Sequence, residues 1–276
     1  MLRQRVITAV ILLAVLGAAG AWSASALLGL CALLVSIGLY EWLRLAGFGA
    51  SGSAAAAAAY AAALIGTSFL KSRLPEATEA VVALIACAVW CGLAVVVAAA
   101  DRGRASIGRV WSTVLGAGLL SAGWLALIDL LQRGVEWLVS VLAVVWIADI
   151  AAYFTGRALG RHKLAPRISP GKTWEGVWGA MVGVVLAAVL VHHLWPAAMI
   201  WSNRALSELA WPAALGALLS VVALSIVGDL FESLLKRQAG VKDSGWLLPG
   251  HGGVLDRIDA TLPTLPAAVL IDWWTR

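Results

Sequence analysis

Eight stretches of this chain are apolar over 16 residues or more: 6–22, 24–39, 53–70, 80–100, 110–131, 135–154, 177–195 and 209–228. A helix that crosses a bilayer needs about 20 such residues. A ninth stretch, 261–274, has 14 residues, which gives roughly 21 Å of helix against a hydrocarbon core of about 30 Å. Hydrophobic residues make up 62% of the 276 and charged residues 13%, where soluble proteins hold roughly 45–50% and 25%. A soluble fold of this size has no interior large enough for so much apolar surface. The pattern excludes an ordinary globular domain, a disordered chain and a disulfide scaffold. It predicts an all-α polytopic membrane protein with about nine transmembrane helices.

The polar loops set the orientation. With the N-terminus cytoplasmic, one set of loops carries 15 Lys and Arg residues and the other carries 5. The richer set belongs in the cytoplasm. The formal charge of +5 is thereby a matter of topology, and no nucleic-acid partner is expected. Arg3 and Arg5, an apolar stretch and Ala24-Ser25-Ala26 resemble a cleavable leader, though a retained first helix is the favoured expectation. Trp22, Trp42, Trp195, Trp211, Trp273 and Trp274 fall at predicted interfaces, where tryptophan concentrates. Cys31, Cys87 and Cys91 lie in apolar runs and read as small packing residues. The six alanines 54–59 predict close helix packing.

Two long polar stretches, 155–173 and 231–260, both come late. Residues 1–134 are therefore expected to form a transmembrane scaffold, and 135–276 a catalytic half. The helix 209–228 runs into the second stretch. Continued, it carries Asp229, Glu232, Ser233, Lys236 and Arg237 on one face, acids first and bases after. A glycine-rich loop follows, with Lys242, Asp243 and His251 among Gly240, Gly245, Gly250, Gly252 and Gly253. Glycines let backbone N–H groups approach phosphate oxygens closely. Asp256, Arg257 and Asp259 come next. Carboxylates beside Lys, Arg and open backbone suit a phosphate–Mg²⁺ complex, because Mg²⁺ is usually held by one or two carboxylates plus substrate phosphates.

In the first polar stretch, Asp149 sits within an apolar helix, with Tyr153, Gly156 and Gly160 on its face. An acid at membrane depth is expensive and marks a functional candidate. Gly171-Lys172-Thr173 looks like the end of a P-loop, but the glycine that motif requires at position 166 is Pro166. Thr173 stands where it caps the next helix, with Glu175 in the first turn. Asp129 has no motif around it, and His192 and His193 read as interfacial.

These motifs resemble those of the phosphatidate cytidylyltransferase (CDP-diacylglycerol synthase) family. The resemblance is carried by Ser233-x-x-Lys236-Arg237, Lys242-Asp243, Pro249-Gly250-His251-Gly252-Gly253 and Asp256-Arg257-x-Asp259. It extends to Asp149-x-x-Ala152-Tyr153-x-x-Gly156-x-x-x-Gly160 and Ile168-Ser169-Pro170-Gly171-Lys172-Thr173-x-Glu175-Gly176. Leu2-Arg3-x-Arg5 and Tyr40-Glu41-Trp42 are also similar. The resemblance implies condensation of CTP with phosphatidate at the cytoplasmic face of a bacterial inner membrane, by a homodimer, with Mg²⁺ and room for a second cation. It assigns Asp229 and Asp256 as the metal pair, with Glu232 and Asp259 as further ligand candidates. Lys236, Arg237, Lys242 and Arg257 become phosphate binders, Ser233 a hydrogen-bond donor to phosphate, and His251 a phosphate contact or the acid for the leaving group. Ser169, Lys172 and Thr173 approach a substrate phosphate. Asp149, Tyr153, Asp243, Gly252 and Gly253 complete the substrate-binding set. A CTP-dependent polyprenol kinase and a secondary transporter are the rival readings.

Overall fold

The structure, a computed structural model, describes residues 2–71 and 75–275. The side chains of residues 2–7, 9, 13 and 76 lie outside that description. Expectations resting on Arg3, Arg5, Arg73 and Arg276, and the Leu2-Arg3-x-Arg5 resemblance, therefore fall outside the described side chains. In chain order the elements are α1 (Leu2–Trp22), α2 (Ala24–Leu45), α3 (Ala50–Leu70), α4 (Glu76–Asp101), α5 (Arg109–Arg133), α6 (Val135–Leu159), β1 (Lys163–Ala165), β2 (Ser169–Thr173), α7 (Trp174–Leu194), α8 (Trp201–Glu208), α9 (Trp211–Gln238), α10 (Leu255–Ile258) and α11 (Thr261–Trp274). Among the described residues, seven helices are long and apolar enough to cross a membrane: α2, α3, α4, α5, α6, α7 and α9. The chain is an integral membrane protein. The stretch 261–274 is helical but only 14 residues long and mostly buried, with Pro266 inside it.

The chain divides into two compact units. One holds Met1–Leu74, Ile107–Trp124 and Leu235–Asp259. In it, the Ser23 hydroxyl caps α2 by accepting from Ala26 N at 3.0 Å. Trp42, expected at an interface, is buried instead, and its indole donates to Ser112 O at 2.9 Å. Gly116 makes room for that ring, since a Cβ there would meet it at 2.8 Å. Of the alanines 54–59 only Ala57 is buried, so the run does not form the close-packed face expected of it.

The other unit holds Pro75–Ser106, Leu125–Leu234 and Ala260–Arg276. Its packing shows on α7. Gly176, Ala180, Val184 and Ala188 are buried, while Trp178, Val182, Leu186 and Leu190 are exposed. Small residues face inward and large apolar ones outward, which suits a helix whose outer solvent is lipid. Against α6 the fit is close. A Cβ on Gly179 would collide with Thr155, and one on Gly183 would meet Ala151 at 2.7 Å. Helix α8 lies where a loop was expected, anchored by buried Trp201, whose indole donates to Ala268 O at 3.0 Å. The stretch 155–173 is not all loop: α6 runs on to Leu159 and an antiparallel hairpin follows, with Lys163 opposite Thr173 and Ala165 opposite Ser169.

Candidate active site

In the second unit, the C-terminal half of α6, the hairpin, the start of α7 and the C-terminal end of the apolar run in α9 surround a cleft of about 460 Å³. Asp149, Tyr153, Gly156, Lys172, Thr173 and Asp229 all line it. The sequence reading thus named residues from three separate segments that meet. Lys172 Nζ stands 2.6 Å from Asp229 Oδ2, with both side chains partly exposed. Ser233, one turn further along α9, directs its hydroxyl at Asp229 Oδ1 over 3.4 Å. Thr173 caps α7 as expected, accepting from Gly176 N at 3.2 Å. Gly156 and Gly160 lie against it: a Cβ on Gly156 would meet Thr173 Oγ1 at 3.1 Å. The glycines seat the helix start, so their spacing serves backbone packing as well as the cleft.

The hairpin is fixed at both ends. Asp101 at the end of α4 accepts from Arg167 N at 2.8 Å and Ile168 N at 3.2 Å. Glu175 accepts from His162 N and stands 2.7 Å from His162 Nδ1. These two carboxylates hold the strand that bears Lys172. Ser169 starts that strand and is not among the cleft residues. Arg157, which the sequence reading passed over, does line the cleft. Its Nη1 donates to the Tyr153 hydroxyl at 2.8 Å. The signal was available: Arg157 follows Gly156 directly and lies two helical turns after Asp149.

The first unit holds the second cluster. The predicted extension of α9 is present to Gln238. Lys236 Nζ lies 2.6 Å from Asp256 Oδ1. Asp256 Oδ2 accepts from Ser244 N at 2.9 Å, Gly253 N at 2.8 Å and Ser244 Oγ at 3.0 Å. Burial pushes the Asp256 carboxyl up, but the Lys236 ammonium and the N–H groups of Gly253 and Ser244 outweigh it, leaving it below its ordinary value. Gly250 and Gly252 take φ of +76° and +79°, the left-handed turn that lets Leu248 N reach Gly252 O at 2.9 Å. His251 is half-buried in this turn, while Arg237, Lys242, Asp243 and Arg257 are exposed. Asp259 caps the end of α10, while Glu232, buried on α9, belongs to the second unit.

Of the four carboxylates expected to hold metal, Asp229 and Glu232 lie in the second unit and Asp256 and Asp259 in the first. Among the described residues no three His, Cys, Asp or Glu side chains stand together to hold a metal. Such a site takes substrate phosphates to complete its shell. Asp229 fits that role, with its side chain 33% exposed in the cleft. In Asp256, Oδ2 accepts three hydrogen bonds and Oδ1 holds Lys236 at 2.6 Å, so Oδ1 would serve a metal only once Lys236 moves to a substrate phosphate.

A buried carboxylate absent from the site residues expected above joins this cluster. Glu41 on α2 accepts from Ser244 Oγ at 2.9 Å, Val254 N at 3.0 Å and Leu255 N at 2.8 Å. The Ser244 hydroxyl thus faces two carboxylates with one proton, and serves one at a time.

Residues 3–273 match the model of the cytidylyltransferase family. A phosphatidate cytidylyltransferase of Pseudomonas aeruginosa is 42% identical over 99% of this chain and 97% of its own length. One from Brucella suis is 50% identical over 55% of this chain and 53% of its own. One from Thermotoga maritima is 40% identical over 48% and 47%. The chain belongs to the cytidylyltransferase family.

Proposed function

We propose that this chain is a phosphatidate cytidylyltransferase, which joins CTP to phosphatidate and releases CDP-diacylglycerol and pyrophosphate. The observation that carries the reading is the cleft, where Lys172, Arg157 and Asp229 line one cavity together with Ala148, Ala180 and Ile226. Cations for phosphate and an apolar wall for a lipid occur side by side. The relatives bearing that name support it.

The chemistry asks little of a nucleophilic side chain. A phosphate monoester has a second pKa near 6, so the phosphatidate oxygen arrives as an anion. It forms a bond to the α-phosphorus of CTP as the α–β bridging bond breaks, and the electron pair leaves on pyrophosphate. The obstacle is repulsion between polyanions, which fixed cations relieve. Lys172 and Arg157 supply charge in the cleft. Lys236, Arg237, Lys242 and Arg257 supply it along the loop, with Arg suited to bidentate contact and Lys acting as a point charge. His251 donates to a phosphate oxygen. By the family resemblance, Asp229 and Asp256 are the residues that would hold Mg²⁺, which would supply charge neutralisation for the substrate phosphates. A substrate phosphate would take Lys172 and Lys236 over from their carboxylates. A second cation and a homodimer belong to the same reading and rest on the family resemblance alone.

The reading includes nine spans, a cytoplasmic N-terminus and an active site on the cytoplasmic face of a bacterial inner membrane. The 15-to-5 division of basic residues supports it. So do contacts within each unit. Thr8 donates to Pro249 O at 2.9 Å, the Arg109 guanidinium lies 3.8 Å above the Phe48 ring, and Asp101 holds Arg167. Each joins two segments assigned to the cytoplasmic side. Arg133 pairs with Asp272, which joins two segments assigned to the other side. The test is pyrophosphate release by purified protein in detergent. Release requires both CTP and phosphatidate, one pyrophosphate per CDP-diacylglycerol. Consumption of CTP without pyrophosphate overturns the proposal.

A further inference from the structure

Glu41 is separated from Ser244 by 203 residues of sequence, yet its carboxylate is 3% exposed and sits against the loop that follows α9. Its three donors come from both ends of that loop: Ser244 at the beginning, Val254 and Leu255 at the end. Two glycines flank the carboxylate, and a Cβ on either Gly245 or Gly253 would collide with it. These two glycines therefore make room for Glu41, where the sequence pattern alone suggested room for phosphate. The loop is folded around a carboxylate from a distant helix. Through Ser244 and Gly253, the same segments grip Asp256 Oδ2.

We propose that Glu41 is a positioning residue that never touches substrate: its carboxylate holds residues 244–255 in the conformation that presents Asp256 and its partner Lys236 to the reacting phosphates. The catalytic part of this inference rests on the cytidylyltransferase reading; the structural part does not. The geometry requires a carboxylate. A glutamine has almost the same volume but one acceptor oxygen. Its amide N–H₂ would face a backbone N–H of Val254 or Leu255, so one donor would lose its partner.

The experiment compares wild type with Glu41→Gln in detergent, reading amide hydrogen exchange and steady-state kinetics. In wild type, the peptide covering 244–255 exchanges at least ~100-fold slower than an unstructured chain, as hydrogen-bonded amides do. In Glu41→Gln that protection falls at least tenfold while the transmembrane helices keep theirs. kcat falls on the order of 100-fold, the cost of a small misplacement of reacting groups, and KM for CTP and phosphatidate stays within about threefold. Unchanged exchange at 244–255, or kcat within twofold of wild type, overturns the proposal. So does a uniform loss of protection across the helices, which marks a general structural role. If the variant does not fold, the wild-type exchange decides alone: unstructured-chain rates at Val254 and Leu255 refute the hold. A wild type that protects the loop but does not turn over CTP removes the cytidylyltransferase reading and leaves the hold standing.

Discussion

Replacing Lys172 by Gln separates a phosphate site from a structural ion pair. Lys172 and Asp229 approach to 2.6 Å, but their side chains are 27% and 33% exposed. Exposed and partly exposed pairs contribute about 0.2–1 kcal/mol, because water screens them and holding two long side chains costs entropy. Loss of Lys172 should therefore lower stability by no more than about 1 kcal/mol. Its effect on turnover should be larger. Removing one fixed group that stabilises transition-state charge costs about 2.7–4 kcal/mol, or 100- to 1,000-fold in kcat. Lys163 is the control, since it sits exposed on β1 of the same hairpin and takes no part in the cleft. The assay is CTP turnover with phosphatidate, beside thermal unfolding of each variant. Lys163→Gln should stay within a few-fold of wild type, and Lys172→Gln should fall by about two orders of magnitude with near-native unfolding. Equal losses at both positions would refute this in favour of diffuse electrostatics. A large stability loss with turnover retained would make the pair structural.

Other outcomes follow from the same geometry. Asp256→Asn should abolish turnover while leaving membrane insertion intact. Because the Asp256 carboxyl is held below its ordinary value, its stabilising contribution is complete above the unfolded pKa of about 3.9 and is lost as pH falls through the folded one. The melting difference between wild type and Asp256→Asn should thus be largest near neutrality and shrink toward pH 3; a constant difference contradicts this. Gly179→Ala, which drives a Cβ into Thr155, should cost about 1–3 kcal/mol in unfolding measurements by overpacking the contact between α6 and α7. Arg133→Met removes the cation that Asp129 shares with the fully buried Asp272, and leaves Asp272 with the longer contact to Arg204 at 3.6 Å. Removing one partner of a buried pair costs roughly 3–5 kcal/mol, so this variant should lose thermal stability while its remaining folded fraction keeps its KM for CTP.

What could be read in advance was local. The nine apolar runs all announced helices, of which seven among the described residues are long and apolar enough to cross a membrane, and the continuation of α9 past the apolar run was visible in the spacing of Asp229, Glu232, Lys236 and Arg237. Thr173 as a cap was legible because a cap and its helix are adjacent in sequence. What could not be read depended on distant partners. Trp42 looked interfacial by position, but Gly116 and Ser112, some 70 residues away, give its ring a buried slot and an acceptor. Asp129 had no motif around it because its partner network runs through Arg133 to Asp272 on α11. Glu41 lay within a stretch noted only for resemblance, and its function as an acceptor appears only when residues 244–255 are folded against it. The hairpin was missed because strands of three and five residues, one interrupted by Pro170, carry almost no periodic signal.

The destination of the CTP α-phosphorus tests the central claim most directly. Purified protein in detergent receives phosphatidate, Mg²⁺ and CTP labelled at the α-phosphate, and the products are partitioned between lipid and water. Label should appear in the lipid fraction as CDP-diacylglycerol, with unlabelled pyrophosphate in the water. Label remaining in soluble CDP would contradict that claim, because it would mean that the γ-phosphate is transferred and that the cleft serves a kinase.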